Sequence, residues 1–298
     1  MMSKIDLTFV SCPYCKNSDL IQLNDSFKCM NSNCLHNQSE FWFSSINKIP
    51  ILISNQKTDT VCDSRNIKSL VKRVEIKSLK SKIKDFIYGE SKTSKVNCFK
   101  FLNLLVSSAK KPRVLVIGSG EIGSGMSCLY ECNKLSIIGT DVYASESVQY
   151  ISDAHYLPFK DSSFDGVWIQ AVLEHVVDPD QVVKEIYRVL KPESYVYSET
   201  PFMQQVHEGA YDFTRYTVLG HRYLFKNFEL LEFGGNGGAG VVLGWSIRYF
   251  IWSLTRSRLI ASVLSIPLGL IFKQIDKLAD EKALFDSSSG VYFLGKKS

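Results

Sequence analysis

The chain has 298 residues, 45% of them hydrophobic and 22% charged, with a formal net charge of +5. These values are ordinary for a folded protein, and the length allows one large domain and a small one. The N-terminus lacks the basic and apolar segments of a secretory signal, and no uncharged apolar stretch reaches the roughly 18 to 20 residues of a transmembrane helix. We therefore expect a cytoplasmic protein, with peripheral contact at the inner membrane face as an open alternative.

The first 34 residues contain four of the eight cysteines: Cys12, Cys15, Cys29 and Cys34. Two close pairs on either side of a hairpin-length spacer can supply four thiolates to one tetrahedral Zn²⁺, and cytoplasmic redox conditions argue against disulfides. His36 is an alternative to Cys34, because the second pair is spaced more widely than usual. We predict a structural zinc ion in a small domain over residues 1–58. The other cysteines show no pairing pattern and are expected to be buried as small hydrophobes: Cys62, Cys98, Cys128 and Cys132.

Residues 59–111 form a basic linker. Ten Lys or Arg residues fall between Arg65 and Lys95, and apolar residues recur there at helical spacing. The pattern predicts a surface helix with a solvated basic face. Contact of that face with RNA or with an anionic membrane is the alternative.

A short apolar run at 113–117 opens into glycines at Gly118, Gly120 and Gly123, and Asp141 follows a second apolar run. Glycines after a buried parallel strand let the backbone turn tightly and approach a ligand, and an acidic side chain at the next strand tip can bind ribose hydroxyls. A nucleotide-type cofactor is therefore expected at this place.

Strand and helix patterns alternate from residue 113 onward, which predicts an α/β, doubly wound, Rossmann-like sheet. The expected elements are strands at 113–117, 136–141, 150–152, 164–169, 194–200, 228–233 and 291–296, with helices from about 123 and over 179–190. The last strand is expected to be antiparallel. The domain would span residues 112–298, with an insertion at 234–289.

The segments 152–168 and 173–179 read S-D-A-H-Y-L-P-F-K-D-S-S-F-D-G-V-W and L-E-H-V-V-D-P. They resemble the class I S-adenosylmethionine-dependent methyltransferases, in particular the broad type 11 group, whose fold has a seven-stranded sheet. The resemblance implies that the glycines pass under the methionine half of the cofactor. It also implies that Asp141 binds the ribose, Asp153 the adenine amino group and the Ala154 backbone the ring edge, while Gln170 faces the methionine end. One departure is Val116, where the family often has an acidic residue, for which Glu121 is a possible substitute.

The N-terminal cysteine module, with the following aromatic and apolar residues 40–53, is similar to the small zinc-ribbon activator subunit of several methyltransferases. In this chain the module would be fused to the methyltransferase domain. A four-cysteine site has no open coordination position, so its expected role is to stabilise a domain with a small core.

The insertion at 234–289 stands where this fold ordinarily needs only a tight hairpin. It contains two apolar blocks, 241–254 and 259–272, and the second is flanked by Arg and Lys. Such helices suit a membrane interface or a tunnel for a greasy acceptor. Packing on the domain, as part of the core or of an oligomer interface, is the alternative.

The loop after the fifth core strand carries His207, Asp212 and Arg215. Its sequence is similar to a subset of class I methyltransferases that is associated with surface-glycan and lipid-linked sugar pathways. His207 is the predicted general base, Asp212 would orient it or bind a sugar hydroxyl, and Arg215 would bind an acidic group of the acceptor. The alternative is that all three only pin the loop by hydrogen bonds. His175 is expected to line the pocket.

The predicted function is O-methylation of a glycan, a lipid-linked sugar or another small acceptor. Methylation of an rRNA or tRNA base is the alternative, because a zinc ribbon with a basic helix also resembles certain rRNA guanine methyltransferases. A degenerate, inactive scaffold is the third possibility.

Overall fold

The computed structural model describes residues 6–16, 18–23, 26–34, 37, 41–43, 49–53, 91–207, 211–278 and 280–298. The basic helix predicted between Arg65 and Lys95 lies almost wholly outside these ranges. His36 and Cys62 lie outside them as well, so the alternative zinc ligand stays a prediction.

One sheet runs through the described residues, in the strand order β1-β2-β3-β4-β7-β6-β5-β8-β9-β11-β10. The strands from β5 to β9 are parallel neighbours, and β11 is antiparallel to both β9 and β10. The seven strands from β7 to β10 in that order confirm the predicted doubly wound sheet. The strands are β1 Leu20–Leu23, β2 Ser26–Cys29, β3 Phe41–Phe43, β4 Pro50–Ile51, β5 Arg113–Ile117, β6 Ser136–Asp141, β7 Tyr150–Ile151, β8 Phe164–Gln170, β9 Leu190–Pro201, β10 Glu229–Asn236 and β11 Gly290–Lys296.

The four N-terminal strands extend this sheet, because Ile51 of β4 pairs in parallel with Ile151 of β7. Phe9 packs against Phe159 and Phe164, with ring centroids 5.9 and 5.8 Å apart. The cysteine module and the main domain therefore share one apolar core, whereas the sequence suggested a separate small domain.

Helix α1 (Lys92–Ser108) begins where the Ser91 side chain accepts a hydrogen bond from the Ser94 amide. Its Phe101 ring packs edge-on against Trp168 of β8. The expected helix from about residue 123 is only the short α2 (Ser127–Glu131), because residues 118–126 are used by the glycine loop. Cys98 of α1 is joined by a disulfide to Cys128 of α2. That pairing corrects the expectation of unpaired cysteines, which sequence separation alone could not reveal.

Helix α3 (Pro179–Val189) starts as predicted, since Pro179 occupies its first turn and the Asp178 carboxylate accepts from the Gln181 amide. It ends directly at β9, which begins at Leu190, whereas the sequence predicted helix up to residue 190 and strand only from residue 194. Helix α4 (Val218–Leu224) begins with a similar cap from Thr217.

The predicted insertion is a pair of helices, α5 (Ala239–Thr255) and α6 (Arg258–Ile275), followed by the short α7 (Glu281–Ser287). In the described part of the chain, one helical stretch, Arg258–Leu278, is long and apolar enough to cross a membrane by length and composition alone. No uncharged stretch is that long, because Arg258 and Lys273 bound the apolar residues 259–272. The helix reaches this length only when the cations at its ends are counted.

Candidate active site at the carboxyl edge of the sheet

The glycine loop leaves β5 beneath the carboxyl end of β6. Gly118 has φ +79°, and its amide and that of Ser119 donate to the Thr140 carbonyl at 2.9 and 3.1 Å. A Cβ on Gly118 would lie 2.2 Å from the Val172 side chain. Both the left-handed backbone and the close approach therefore require glycine here. The contact also places the loop after β8 directly beside the glycine loop.

Asp141 lies at the tip of β6, where the sequence placed it. Its carboxylate accepts hydrogen bonds from the Gly120 amide at 2.8 Å and from the Val142 amide at 2.7 Å. The ring of Tyr143 lies so close to Gly120 that any Cβ there would overlap it. Val116 is buried in the core, and Glu121 is exposed on the surface. The cradle of glycines and the acidic strand tip fit a nucleotide-type cofactor.

Asp153 and Ala154 begin a short 3₁₀ turn, Ala154–Tyr156, and both are buried. The Asp153 carboxylate accepts from the His155 amide at 2.9 Å and lies 2.6 Å from His155 Nδ1. Asp153 is thus held by its neighbour in the chain. His155 Nε2 in turn accepts from the Asp178 amide at 3.1 Å, which links this turn to the start of α3.

Gln170 ends β8 and lies beside Gly123, whose added Cβ would be 2.4 Å from the Gln170 amide oxygen. Its amide nitrogen donates to the Ser124 carbonyl and to the Glu199 carboxylate, at 3.1 and 3.2 Å. Glu199 also accepts from Ser94, Tyr197 and Asn236. Burial raises the pKa of Glu199, while these donors oppose the rise. The network fixes Gln170 against the glycine loop.

The second half of the site follows β8, in the 3₁₀ turn Leu173–His175. The buried Glu174 carboxylate accepts from Thr200 Oγ at 2.9 Å through one oxygen. Its other oxygen lies 3.6 Å from His175 Nε2 and 4.0 Å from His207 Nε2, and no donor reaches it within the described part of the chain. Burial raises the pKa of Glu174. These three groups can share a proton or hold a divalent cation.

Asp212 and Arg215 lie beside His207. The Arg215 guanidinium binds both Asp212 oxygens, one of them at 2.7 Å, and Arg215 Nε donates to the Gln204 carbonyl at 3.1 Å. The Asp212 carboxylate also accepts from the His207 amide at 2.9 Å. The hydrogen bond from Arg215 lowers the pKa of Asp212 to about 2. Arg215 is thus engaged with the protein itself, as the loop-pinning alternative requires.

Two carboxylates of the site, Glu174 and Glu199, were not assigned a role from the sequence. Glu199 lies near the end of a predicted buried strand and Glu174 between the apolar residues 171–173 and 176–177, and that placement was the available signal. Neither side chain can be buried there without donors from distant segments, such as Thr200 for Glu174 and Asn236 for Glu199.

The cysteine cluster forms away from this edge. The sulfur atoms of Cys12, Cys15, Cys29 and Cys34 all lie within 4.8 Å of one another, with 4.0 Å between Cys12 and Cys34 and 3.7 Å between Cys15 and Cys29. Tetrahedral Zn–S bonds of about 2.3 Å separate two sulfurs by about 3.8 Å. The four residues therefore fit a structural zinc ion.

Comparisons with known proteins agree with this geometry. The chain is 59% identical over 44 residues to a demethylmenaquinone methyltransferase of Lactobacillus johnsonii, covering 15% of this chain and 18% of the relative. It is 37% identical over 70 residues to the ubiquinone/menaquinone biosynthesis C-methyltransferase UbiE of Saccharophagus degradans, covering 23% and 28%. The chain thus aligns with less than a third of either relative.

Among solved structures, the fold is similar to phosphoethanolamine N-methyltransferase 2 of Haemonchus contortus in complex with phosphomonomethylethanolamine and S-adenosylhomocysteine. The identity is 18%, the coverage 72% of this chain and 56% of that one, and the TM-score 0.45. Residues 117–198 match the family model described as "Methyltransferase domain". The segment that carries the glycine loop, Asp141 and Asp153 therefore matches a methyltransferase domain.

Proposed function

We propose that the whole chain is a methyltransferase that acts on a hydroxyl group of a small amphiphilic acceptor, such as a lipid-linked sugar. The observation that carries the proposal is the cluster of Glu174, His175 and His207 next to the glycine loop. Val172 contacts Gly118, and the turn that presents Glu174 and His175 follows at once. A proton-accepting cluster beside a methyl-donor site is what transfer to a hydroxyl requires.

The cofactor side is supplied by the glycine loop, Asp141 and Gln170. S-adenosylmethionine, when bound, supplies an electrophilic methyl group on a positively charged sulfur. Gly118 and Gly120 would hold its methionine half, Asp141 its ribose, and Asp153 with Ala154 its adenine. Displacement at the methyl carbon is in line, so the chain contributes mainly by aligning the acceptor and by excluding water.

The acceptor side removes the hydroxyl proton. His175 Nδ1 lies 2.5 Å from the Tyr211 carbonyl, so that nitrogen carries the proton and Nε2 keeps its lone pair when the ring is neutral. His207 presents Nε2 toward the same Glu174 oxygen. A proton taken up by either ring would face the Glu174 carboxylate, which stabilises the imidazolium. His207 remains the proposed base, and Asp212 orients its loop through the His207 amide.

Methyl transfer from labelled cofactor to candidate acceptors tests this proposal. His207→Gln is expected to lower kcat by roughly 10² to 10⁴ without changing cofactor affinity in calorimetry. The matched His175→Gln variant shows which ring is the base. Added chelator tests the alternative use of the three groups as a cation site. An unchanged rate in both histidine variants would remove the proposed base.

The acceptor panel contains a lipid-linked sugar, a quinol and structured RNA. The relatives named above are a demethylmenaquinone methyltransferase and a ubiquinone/menaquinone biosynthesis C-methyltransferase. Methylation at a quinol carbon would therefore replace the O-methylation proposal. Methylation of RNA alone would support the alternative function. The basic segment that motivates RNA binding lies mostly outside the described residues, so that alternative stays a prediction from sequence.

We also propose that the four cysteines bind one structural Zn²⁺. Burial raises the pKa of Cys12 and Cys29, so without a cation the buried cluster favours neutral thiols. Elemental analysis should find one zinc per chain, and Cys12→Ser should release it. Because Phe9 and Cys12 lie in the core shared with the main domain, this loss should lower the stability of the whole chain. A fully stable, metal-free protein would contradict the proposal.

A further inference from the structure

In the hairpin of α5 and α6, small residues are buried and many large apolar residues are exposed. The buried residues of the two helices are small: Gly244 on α5, and Ala261 and Ser265 on α6. A Cβ on Gly244 would lie 3.0 Å from the Gly269 Cα, so the helices approach closely there. Some large apolar side chains, such as Trp245 and Ile266, are half-buried, and these others are exposed: Leu243, Phe250, Leu254, Leu259, Ile260, Val263, Leu264, Leu268, Leu270, Ile271 and Ile275.

Ala261, Ser265 and Gly269 recur at every fourth residue, so they form one stripe on α6. Helices that pack in lipid often meet through such stripes, because small residues let the two backbones approach closely. The large apolar side chains then face the lipid acyl chains. In water the same arrangement would expose far more apolar surface than an ordinary monomer does. The hairpin therefore requires an apolar environment around α6.

The positive charge of the hairpin indicates that this apolar environment is an anionic lipid membrane. Residues 239–275 contain four cations and no acidic residue: Arg248, Arg256, Arg258 and Lys273. Arg256 and Arg258 lie at the start of α6, and Lys273 and Lys277 at its end, so both ends of the apolar helix are basic. Two copies of such a hairpin would repel each other, whereas anionic lipid headgroups would attract both ends of α6.

The hairpin is anchored to the rest of the protein at its base and along α5. The Asp276 carboxylate accepts from the Gly240 and Val241 amides, at 2.6 and 3.0 Å. The Tyr249 hydroxyl donates to the Val206 carbonyl at 3.1 Å, next to His207. Because a polar loop is attached beside α5, the pair cannot stand upright across a bilayer without taking that loop into the acyl region.

We propose that the α5–α6 hairpin inserts into one leaflet of an anionic lipid bilayer, with α6 among the acyl chains and its basic ends at the headgroups. The inference stands independently of the methyltransferase activity. If the proposed function also holds, the contact between α5 and the His207 loop places the acceptor site at the membrane surface. An acceptor with a lipid anchor would then reach it by diffusion in the bilayer.

Vesicle flotation tests the insertion. The full chain should float with phosphatidylcholine vesicles that contain about a third phosphatidylglycerol, and it should stay bound after a wash in about 1 M salt, where surface ion pairs are screened. The double variant Leu264→Lys, Ile271→Lys should lose most of this binding. The matched control, Leu219→Lys with Leu231→Lys, changes two exposed leucines outside the hairpin and should bind like the original chain.

Fluorescence gives a second readout. Trp252 lies near the end of α5, with the Arg258 guanidinium 4.3 Å from its ring centroid. Lipids with brominated acyl chains should quench part of the emission. The double variant Trp245→Phe, Trp252→Phe, which removes both tryptophans of α5, should lose most of that quenching. If the salt wash releases the protein from the vesicles, the binding is only electrostatic attraction to the headgroups, and the proposal of insertion is overturned. A buffer dimer that the double variant abolishes, without vesicle binding, would identify a second copy as the occupant. Methyl transfer to a soluble acceptor remains measurable in every case.

Discussion

Helices α3 and α6 follow opposite packing rules within one chain. Helix α3 buries Val182, Val183, Ile186 and Val189 against the sheet. Helix α6 buries only Ala261 and Ser265 and exposes its large side chains. Both segments are helices, so the type of secondary structure does not distinguish them; α3 is amphipathic, whereas α6 is apolar on all sides between Arg258 and Lys273.

The difference indicates the surroundings that each helix is suited to, which are the protein core for α3 and an apolar environment outside the protein for α6. Large apolar residues on the inner face of α3 are removed from water, which is the main favourable term in folding. Small residues on the inner face of α6 leave the apolar area outside, where only lipid or a partner can cover it. The sequence shows how apolar a helix is. The packing of the folded chain determines which of its faces is left exposed to lipid or to a partner.

The largest expected effect compares one residue from each helix. Ile186→Ala should lower the free energy of unfolding by about 2 to 5 kcal/mol, because it leaves a cavity in a closed core. Leu264→Ala on α6 should change it by less than about 0.5 kcal/mol, since the side chain is 55% exposed. Urea unfolding in detergent measures both. A large loss at Leu264 would mean that α6 packs on something within the protein and would end the comparison.

The positions of the residues proposed to bind the cofactor were predictable, because these residues are close in sequence to the strand ends that hold them. Gly118 and Asp141 follow β5 and β6 directly, and adjacent parallel strands bring their carboxyl ends together. The antiparallel last strand was predicted from the family resemblance. These positions depend only on the local sequence pattern and on the pairing of adjacent parallel strands.

The acceptor half was only partly predictable, because it is built by contacts between distant segments. Glu174 meets His207 across 33 positions of sequence, and Glu199 meets Asn236 across 37. Nothing local shows that Arg215 is occupied by Asp212, or that β4 would pair with β7 and merge the two predicted domains into one core. Such contacts are selected by three-dimensional packing.

A smaller expected effect is a pH dependence of stability that arises in the protein core and leaves vesicle binding by the α5–α6 hairpin unchanged. His221 on α4 is buried, its Nε2 lies 2.9 Å from Ser198 Oγ, and burial lowers its pKa to about 3. The unfolded chain binds this proton below about pH 6.5, so stability should fall as pH drops from 6.5 toward 3, by at most about 1.4 kcal/mol per unit. His221→Leu should flatten that slope in urea titrations. Vesicle binding should not change over pH 5 to 8, because residues 239–275 contain no histidine and no acidic residue. An equal slope in the variant would assign the acid sensitivity to other groups.

The smallest effect compares two glycines within the hairpin. No atom lies within 4 Å of the Cβ position of Gly269, so Gly269→Ala should fit and should stabilise α6 by about 0.5 to 1 kcal/mol through helix propensity. At Gly244 the new Cβ would lie 3.0 Å from the Gly269 Cα, so Gly244→Ala has to separate the helices and should cancel or reverse the same gain. Thermal unfolding in vesicles compares the two variants, which each add one methyl group, inside the contact at Gly244 and away from it at Gly269. If both are stabilised equally, close packing of small residues does not hold the hairpin together, and the contrast between α3 and α6 would have to rest on exposure alone.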